Sequence, residues 1–551
     1  MSGILRPFLR AGHGRISRTG LILLVLAALA IAAPPFLTPN SYTNLYLSDA
    51  LYLLNAGYLV AHGHIPHLGF GWQFGGYEAG LIALAMSLTG VTVRALDHAI
   101  AIGFLVNAAL LLIGTARHVR PLTLGLLLLL VTAASLTRYP FESGPPDIAV
   151  QSYAMFYNRA CWCLLIAIFA PLLLAEGPLR WWEVGAVAIA TLLIVVTKIT
   201  FALPLPLAAA LLWRHNGWRG IGLAALWIAA AAVGAWVAFG FGPGAYLRLL
   251  PDMLDATQDL LSVTFGPLSK LANIVFFQAG SLLALFAALA WIAVRARYER
   301  GILVTLGALT LLLGLSLALT VSTGSFYALT ATTPMLAFVA VALVEVLLRR
   351  TSEPGRLVGV AALSLFALAF TGPYLANYLL GMAKQATRGE QSIFGPGPLA
   401  GLIVDQSDDN RSPAFRDVAD ANAYIARRNA LEGGIGWMHD YEWQYLIKDG
   451  VDIVRQQPDA ARLRIAAFYP SIFPFAAGAA PVTSFPLYPG FTSPSMRRLV
   501  RLPRDVNTVM ILRSDPANRS AARFRPAMLR EYRLAARSVF WDLYRRADGA
   551  R

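Results

Sequence analysis

From Leu21 to Leu380 the chain is a succession of long apolar runs joined by short polar links, and that alternation leaves little choice of fold. Hydrocarbon offers no partner to a backbone N–H or C=O, so such runs become helices that cross a bilayer and pack together. Only 14% of the 551 residues are charged and mean hydropathy is +0.59, whereas a soluble domain carries about 25% charge. The formal net charge of +15 is accounted for by topology before any nucleic acid is invoked. The only cysteines, Cys161 and Cys163, stand one residue apart at the head of an apolar run, a spacing that suits neither a zinc site nor a disulfide.

Arg6, Arg10, Arg15 and Arg18 precede the first run, Leu21 to Leu37, and place the N-terminus in the cytoplasm. Small-residue triplets such as Ala28-Leu29-Ala30 lie inside this run rather than after it, so it reads as an uncleaved anchor. Later runs, from Ala99 to Gly114 through to Leu357 to Leu380, alternate so that most Arg clusters fall inside. Val184 to Leu212 is interrupted by Lys198, Pro204 and Pro206. Charge in mid-bilayer is costly and Pro breaks helices, so this run divides into two short spans meeting outside at Lys198. Tyr77 to Gly90, headed by Glu78, is too short to cross and reads as a helix lying on the membrane.

The expectation is an α-helical multi-pass membrane protein with about eleven spans. They occupy residues 1–380, with external loops at 38–98 and 137–159. Residues 381–551 contain no run long enough to span and read as a soluble α/β domain outside the cytoplasm. Leu402 to Val404 and Val509 to Leu512 look like strands, Ala414 to Ala430 and Pro526 to Arg546 like helices. The basic end, from Arg497 onward, suits either anionic headgroups or plain solvation.

The polar stretch Ser48 to Gly76 follows the first span and holds Asp49 beside Tyr52, Asn55 and three histidines. If helical, Ser48, Asp49, Tyr52 and Asn55 share a face. On the same expected side lie Glu142 and Asp147, the run Tyr157-Asn158-Arg159, Lys198, and Asp252, Asp255 and Asp259. A carboxylate such as Asp49 suits proton removal from an acceptor hydroxyl, while Lys198 or Arg159 suits a departing phosphate. The bland alternatives are a helix cap for Asp49, an interface-snorkelling Arg159, and a solvated helix face for the three later Asp residues. His62, His64 and His67 have no standard zinc spacing, and Gly63 and Pro66 favour a turn, in which His67 would bond substrate or backbone.

Asp49, Tyr52, Ala56, Gly63, Pro66 and His67 form a D-x-x-Y-x-x-x-A-x-x-x-x-x-x-G-x-x-P-H segment after one span. A surface helix follows, then a second external loop that closes in Y-N-R at Tyr157 to Arg159. This order resembles the GT-C class of polytopic membrane glycosyltransferases, which use polyprenyl-phosphate-linked sugars. Thr197-Lys198 is similar to the Thr-Lys step of aminoarabinose transferase and protein mannosyltransferase-like members. Phe475 to Pro481 and Pro486 to Phe491 resemble the external domains of uncharacterised bacterial members. The resemblance implies Asp49 as base or acceptor-orienting group, with Glu142 or Asp147 as the second-loop acid that helps hold a metal or substrate. It implies Lys198 and Arg159 for the donor phosphate, with Tyr52, His67 and Glu78 beside them. No cofactor is required, although a divalent cation, Mg or Mn, is compatible with the class. One departure stands out: many relatives carry a second Asp where this chain has Gly69, so Glu78 or Glu142 replaces it or the loop works without metal.

The function implied is transfer of a sugar from a polyprenyl-phosphate donor to a lipid, glycan or protein acceptor. It would take place at the periplasmic face of a bacterial inner membrane. The competing readings are a polymerase or ligase of lipid-linked saccharides and a transporter or flippase for them. A transporter would line its path with charge, whereas Lys198 and Glu345 stand near the ends of their apolar runs.

Overall fold

The computed structural model describes residues 16–70, 72, 74–139, 148–249, 251, 267–295, 299–322, 333–349, 355–387, 392–405, 413–431, 440–467, 471–482, 502, 504–513 and 530–547. Helix α1 (Arg18–Ala32) starts at Ser17, whose Oγ accepts from the Gly20 amide at 3.0 Å, and gives way at Pro34 to the short α2 (Pro34–Leu37). Strand β1 (Ser41–Thr43) leads into α3 (Leu47–Ala61), α4 (Tyr77–Thr89), α5 (Ala95–Thr115) and α6 (Pro121–Leu136). Next come α7 (Phe156–Leu174), α8 (Trp181–Val195), a 3-10 turn (Ile199–Ala202) and α9 (Leu205–Phe239). The helical part closes with α10 (Pro267–Arg295), α11 (Arg300–Ser322), α12 (Thr333–Arg349) and α13 (Arg356–Thr387).

Seven of the described helical segments are long and apolar enough to cross a membrane, and Tyr77–Thr89, Pro121–Leu136 and Trp181–Val195 are apolar but shorter. The run expected to divide at Lys198 does so, with α8 ending at Val195 and helix resuming after the 3-10 turn. Inside α9 the backbone leaves helical geometry at Gly217 (φ 60, ψ −156), within the basic link Arg214 to Arg219. Glycine takes that conformation without a side-chain clash.

Helix α7 is apolar all round and buried along nearly its whole length among α5, α6, α8 and α12, as such a pattern requires. Carboxylates fasten the ends of the helices opposite the α7 N-terminus. Glu183 binds Arg117 at 2.8 Å and His118 at 3.1 Å. Glu345 accepts from Thr123 Oγ1 at 2.6 Å and from Arg349 Nε at 2.9 Å. Glu345 is therefore a bundle-end fastening rather than the lining of a path.

Helix α13 continues past Leu380 to Thr387, so the domain boundary expected between residues 380 and 381 falls inside a helix. Strand β2 (Leu402–Val404) then returns to pair in parallel with β1, Tyr42 opposite Ile403. Beyond it lie α14 (Val418–Leu431), α15 (Asp440–Arg455), β3 (Ile465–Ala467), the short α16 (Phe473–Ala477), β4 (Thr508–Leu512), β5 (Tyr532–Arg537) and β6 (Trp541–Arg546). The sheet order is β3-β4-β6-β5, with β3 parallel to β4 and the other pairs antiparallel.

The segment expected to be helical up to Arg546 is thus a hairpin. Tertiary contact overrides local preference there: Trp541 is buried, donates to Leu446 O at 2.8 Å and meets the Phe473 ring edge-on. Several arginines of the basic end are held within the domain, Arg545 on Asp459 at 2.7 Å and Arg537 on Asp542 at 2.8 Å.

Candidate active site

Asp49 lies in the first turn of α3, where the unpaired amides of a helix start favour a carboxylate. It is half-buried, and the helix enters through Tyr46 in the left-handed region (φ 57). Two other non-glycine residues among those described share that region, His67 (φ 67) and Met155 (φ 56), the latter just before α7. Such backbone costs about 1–3 kcal/mol per residue and persists where the surroundings impose it. All three stand in or beside the polar motifs that the sequence singles out.

A ladder of rings joins those motifs. Tyr52, one turn after Asp49, stacks on Trp72 at 4.7 Å between centroids. Trp72 meets Phe74 edge-on at 5.7 Å, and Phe74 stacks on Tyr157 at 4.0 Å. The Lys198 ammonium lies 5.1 Å from the Tyr157 ring centre and donates to Asn158 Oδ1 at 2.9 Å. An ammonium over an aromatic face is held without being neutralised. First loop, second loop and helix break are therefore one construction.

The break is fixed from behind by backbone. The Gly75 amide donates to Thr197 O at 2.8 Å, and the Tyr77 amide to Val196 O at 3.1 Å. A Cβ built on Gly75 would stand 1.7 Å from Val196 O, so only glycine permits this approach. Glu78 follows at once, wholly buried, with Thr197 of the break against its carboxyl. Burial pushes its carboxyl up to about 8, against smaller opposing pulls from a backbone hydrogen bond, the Thr197 hydroxyl and, least, Lys198.

The remaining expected residues divide by role. His67 is buried with Nε2 2.8 Å from Phe74 O, so it shapes the loop that carries the ring ladder. His62 Nδ1 lies 2.8 Å from Tyr58 O. Arg159 is fully buried in the first turn of α7 and donates to Tyr139 O at 3.4 Å, which replaces the snorkelling reading. Asn55 is at the closing-domain end of the α3 face: its side-chain amide donates to Ser471 O, and its Oδ1 accepts from the Phe475 amide at 3.1 Å. Tyr58 OH donates to Ala479 O at 3.0 Å, so the Phe475 to Pro481 segment is seated on the helix that carries Asp49. Glu142, Asp147, Asp252, Asp255, Asp259 and the Pro486 to Phe491 segment lie outside the described residues.

Among the described residues no group of three or more His, Cys, Asp or Glu is arranged to hold a metal ion, so no step is routed through one. Gly69 sits in a tight turn with its amide on Ile65 O at 2.6 Å, and a Cβ there would meet Ile65 backbone atoms at 3.1 and 3.2 Å. Gly69 is therefore cramped by backbone in this chain.

One buried network has a weaker sequence signal. Asp97 accepts from Arg138 at 2.5 Å, from Ser41 Oγ at 2.5 Å, from Tyr153 OH at 2.8 Å and from Gln385 Nε2 at 3.0 Å. Asn377 adds Thr137 Oγ1 at 2.9 Å and the Arg138 amide at 2.8 Å. An acid and an arginine at the mouths of two apolar runs are the pointer in the sequence. The partners from α13 are not, because they lie hundreds of residues away. A cavity of about 590 Å³ opens at the far end of α7, lined by charges of both signs including Glu176, Arg214 and Arg349.

Apolar helices long enough to cross a membrane, a mixed α/β domain after them, and a ring ladder from the turn after Asp49 to the Lys198 ammonium together define a polytopic membrane architecture. No family model matches the chain, and no curated protein does. Among solved structures it is similar to ArnT from Cupriavidus metallidurans bound to undecaprenyl phosphate, at 13% identity over 97% of this chain and 99% of that one, TM-score 0.42. It is also similar to the Archaeoglobus fulgidus oligosaccharyltransferase in complex with Zn and sulfate, at 12% identity over 92% of this chain and 71% of that one, TM-score 0.33. These overlaps are low, and what the site can do follows from this chain's own residues.

Proposed function

We propose that this protein is a membrane glycosyltransferase that moves a sugar from a polyprenyl-phosphate carrier to a hydroxyl-bearing acceptor at the external face of the membrane. The observation that carries the reading is the ring ladder from Tyr52 to Tyr157, which ties the Asp49 turn to the Lys198 ammonium. A polyprenyl-phosphate sugar brings its own leaving group. The protein must then supply a base for the acceptor and a cation where charge develops on the departing phosphate.

Asp49 removes the acceptor proton as the acceptor oxygen bonds to the anomeric carbon. The bond from that carbon to the phosphate oxygen breaks, and Lys198 stabilises the released polyprenyl phosphate. The rings between them suit a sugar face, and their burial keeps water from competing as acceptor. Tyr52 and Trp72 form the first step of the ladder, His67 holds its loop, and Arg159 supports the α7 start from which Tyr157 and Asn158 extend.

Asp49→Asn is expected to lower transfer by at least about a hundredfold with insertion and thermal stability unchanged, since a positioned base contributes about that much or more. Purified protein and a radiolabelled polyprenyl-phosphate sugar provide the assay. Full activity in the variant would remove the base assignment.

A further inference from the structure

The 19 residues of α7 extend about 28 Å, close to the ~30 Å depth of a bilayer's hydrocarbon. With Tyr157 at one interface, the last turn of α7 lies at the other. At that second end Trp181 and Trp182, in the first turn of α8, and Trp213 and Trp218, on either side of the Gly217 kink, are exposed. Indole side chains take that position among lipid headgroups. The cavity of about 590 Å³ opens at this level, with a volume in the range that encloses a small ligand.

Its α9 wall is fixed by side chains bonded to the link between α7 and α8. Asn216 exchanges two hydrogen bonds with the Leu179 backbone, at 3.1 and 2.8 Å. The ring nitrogens of His215 lie 2.9 Å from Leu172 O and 3.1 Å from Gly177 O. That contact holds the chain neighbours of His215 and Gly177, Arg214 and Glu176, close together at the same cavity. Two guanidinium groups, Arg214 and Arg349, and two carboxylates, Glu176 and Glu299, line the space, so it is balanced in charge rather than basic. Arg349 is committed, Nε to Glu345, Nη1 to Glu176 Oε1 at 3.2 Å and Nη2 to the backbone oxygens of His118 and Leu174. Arg214 makes no ion pair or hydrogen bond among the described residues. Glu176 is 77% exposed and meets Arg349 through Oε1, which leaves Oε2 open to a donor. A cation and a carboxylate oxygen thus stand ready for a ligand that carries both charges itself.

We infer that this cavity holds the headgroup of an aminophospholipid, a phosphate diester joined to a primary ammonium as in phosphatidylethanolamine, with the phosphate on Arg214 and the ammonium on Glu176. The inference is independent of the transferase reading, since these residues lie at the opposite end of α7 from Asp49 and Lys198. A guanidinium donates to phosphate oxygens and an ammonium donates to a carboxylate, both charge-assisted pairs stronger than neutral ones. A choline headgroup has no N–H to give Glu176, and a glycerol headgroup offers no cation to either carboxylate.

The test is native mass spectrometry of the full chain in detergent, titrated in turn with phosphatidylethanolamine, phosphatidylcholine and phosphatidylglycerol of identical acyl chains. The wild type is expected to hold phosphatidylethanolamine about tenfold more tightly than either of the others, the worth of one charge-assisted hydrogen bond. Arg214→Gln should weaken phosphatidylethanolamine about tenfold through loss of the phosphate contact. Glu176→Gln should erase the preference over phosphatidylcholine while leaving phosphatidylcholine itself unchanged, and should raise phosphatidylglycerol relative to phosphatidylethanolamine because Arg349 loses a carboxylate. Both side chains are exposed, so neither variant should shift thermal unfolding of the lipid-free protein. The comparison of the three lipids on the wild type stands even if a variant fails to fold. Equal retention of the three lipids, or a preference that both variants keep, would overturn the headgroup site and mean only a lipid coat. A wild-type preference for phosphatidylglycerol would overturn it in favour of a simple anion site.

Discussion

At the scale of single residues, Gly75 and Gly69 constrain the site as much as any charged group. Gly75→Ala would put a Cβ 1.7 Å from Val196 O, so the first loop must part from the break that carries Lys198. The expected outcome is a loss of about 1–3 kcal/mol in stability with a larger loss of transfer, read by thermal unfolding and by the radiolabel assay. Gly69→Asp, which adds a carboxylate to the first loop, meets the Ile65 backbone and is expected to lower activity rather than raise it. Higher turnover in that variant, or turnover that now depends on Mg or Mn, would show that the loop has room for a metal-binding carboxylate. Asp49 and Lys198 stand out as candidates from residue type and place along the chain. The constraint on Gly75 does not, since it comes from backbone about 120 residues later and no local pattern encodes it.

At the scale of elements, α3 carries two duties along its length. Its first turn presents Asp49, and two turns on Asn55 and Tyr58 bind the Phe475 to Pro481 segment. Asn55→Ala leaves Ser471 O and the Phe475 amide buried without partners, at a cost of about 1–3 kcal/mol. Limited proteolysis should then cut the closing domain faster while the spans stay intact; an unchanged cleavage pattern would separate Asn55 from the docking of that domain. Helical spacing groups Asn55 with Asp49 and Tyr52, whereas the fold spends Asn55 on the closing domain. Which partner covers each turn is set by chain more than 400 residues away. The misread hairpin of β5 and β6 has the same cause, since the burial of Trp541 decides its conformation.

At the scale of the whole molecule, the Asp97 network joins β1, α5, the start of the second loop and the end of α13 in one buried knot. Removing the charge from one partner of a buried pair strands the other, so Asp97→Asn is expected to cost about 3–5 kcal/mol. The measurement is the thermal unfolding of solubilised protein. A small shift would mean that Arg138 finds other acceptors, Tyr42 O being the nearest to hand at 3.3 Å. The apolar helical character of the first part of the chain and the break at Lys198 follow from the sequence alone, because apolar length and mid-run charge act through the local chain and the bilayer. Tertiary structure alone decided which polar side chains meet. The ring ladder, the seat of the closing domain on α3 and the burial of Glu78 against the break each depend on contacts between segments far apart in the chain, and hydropathy carries no record of them.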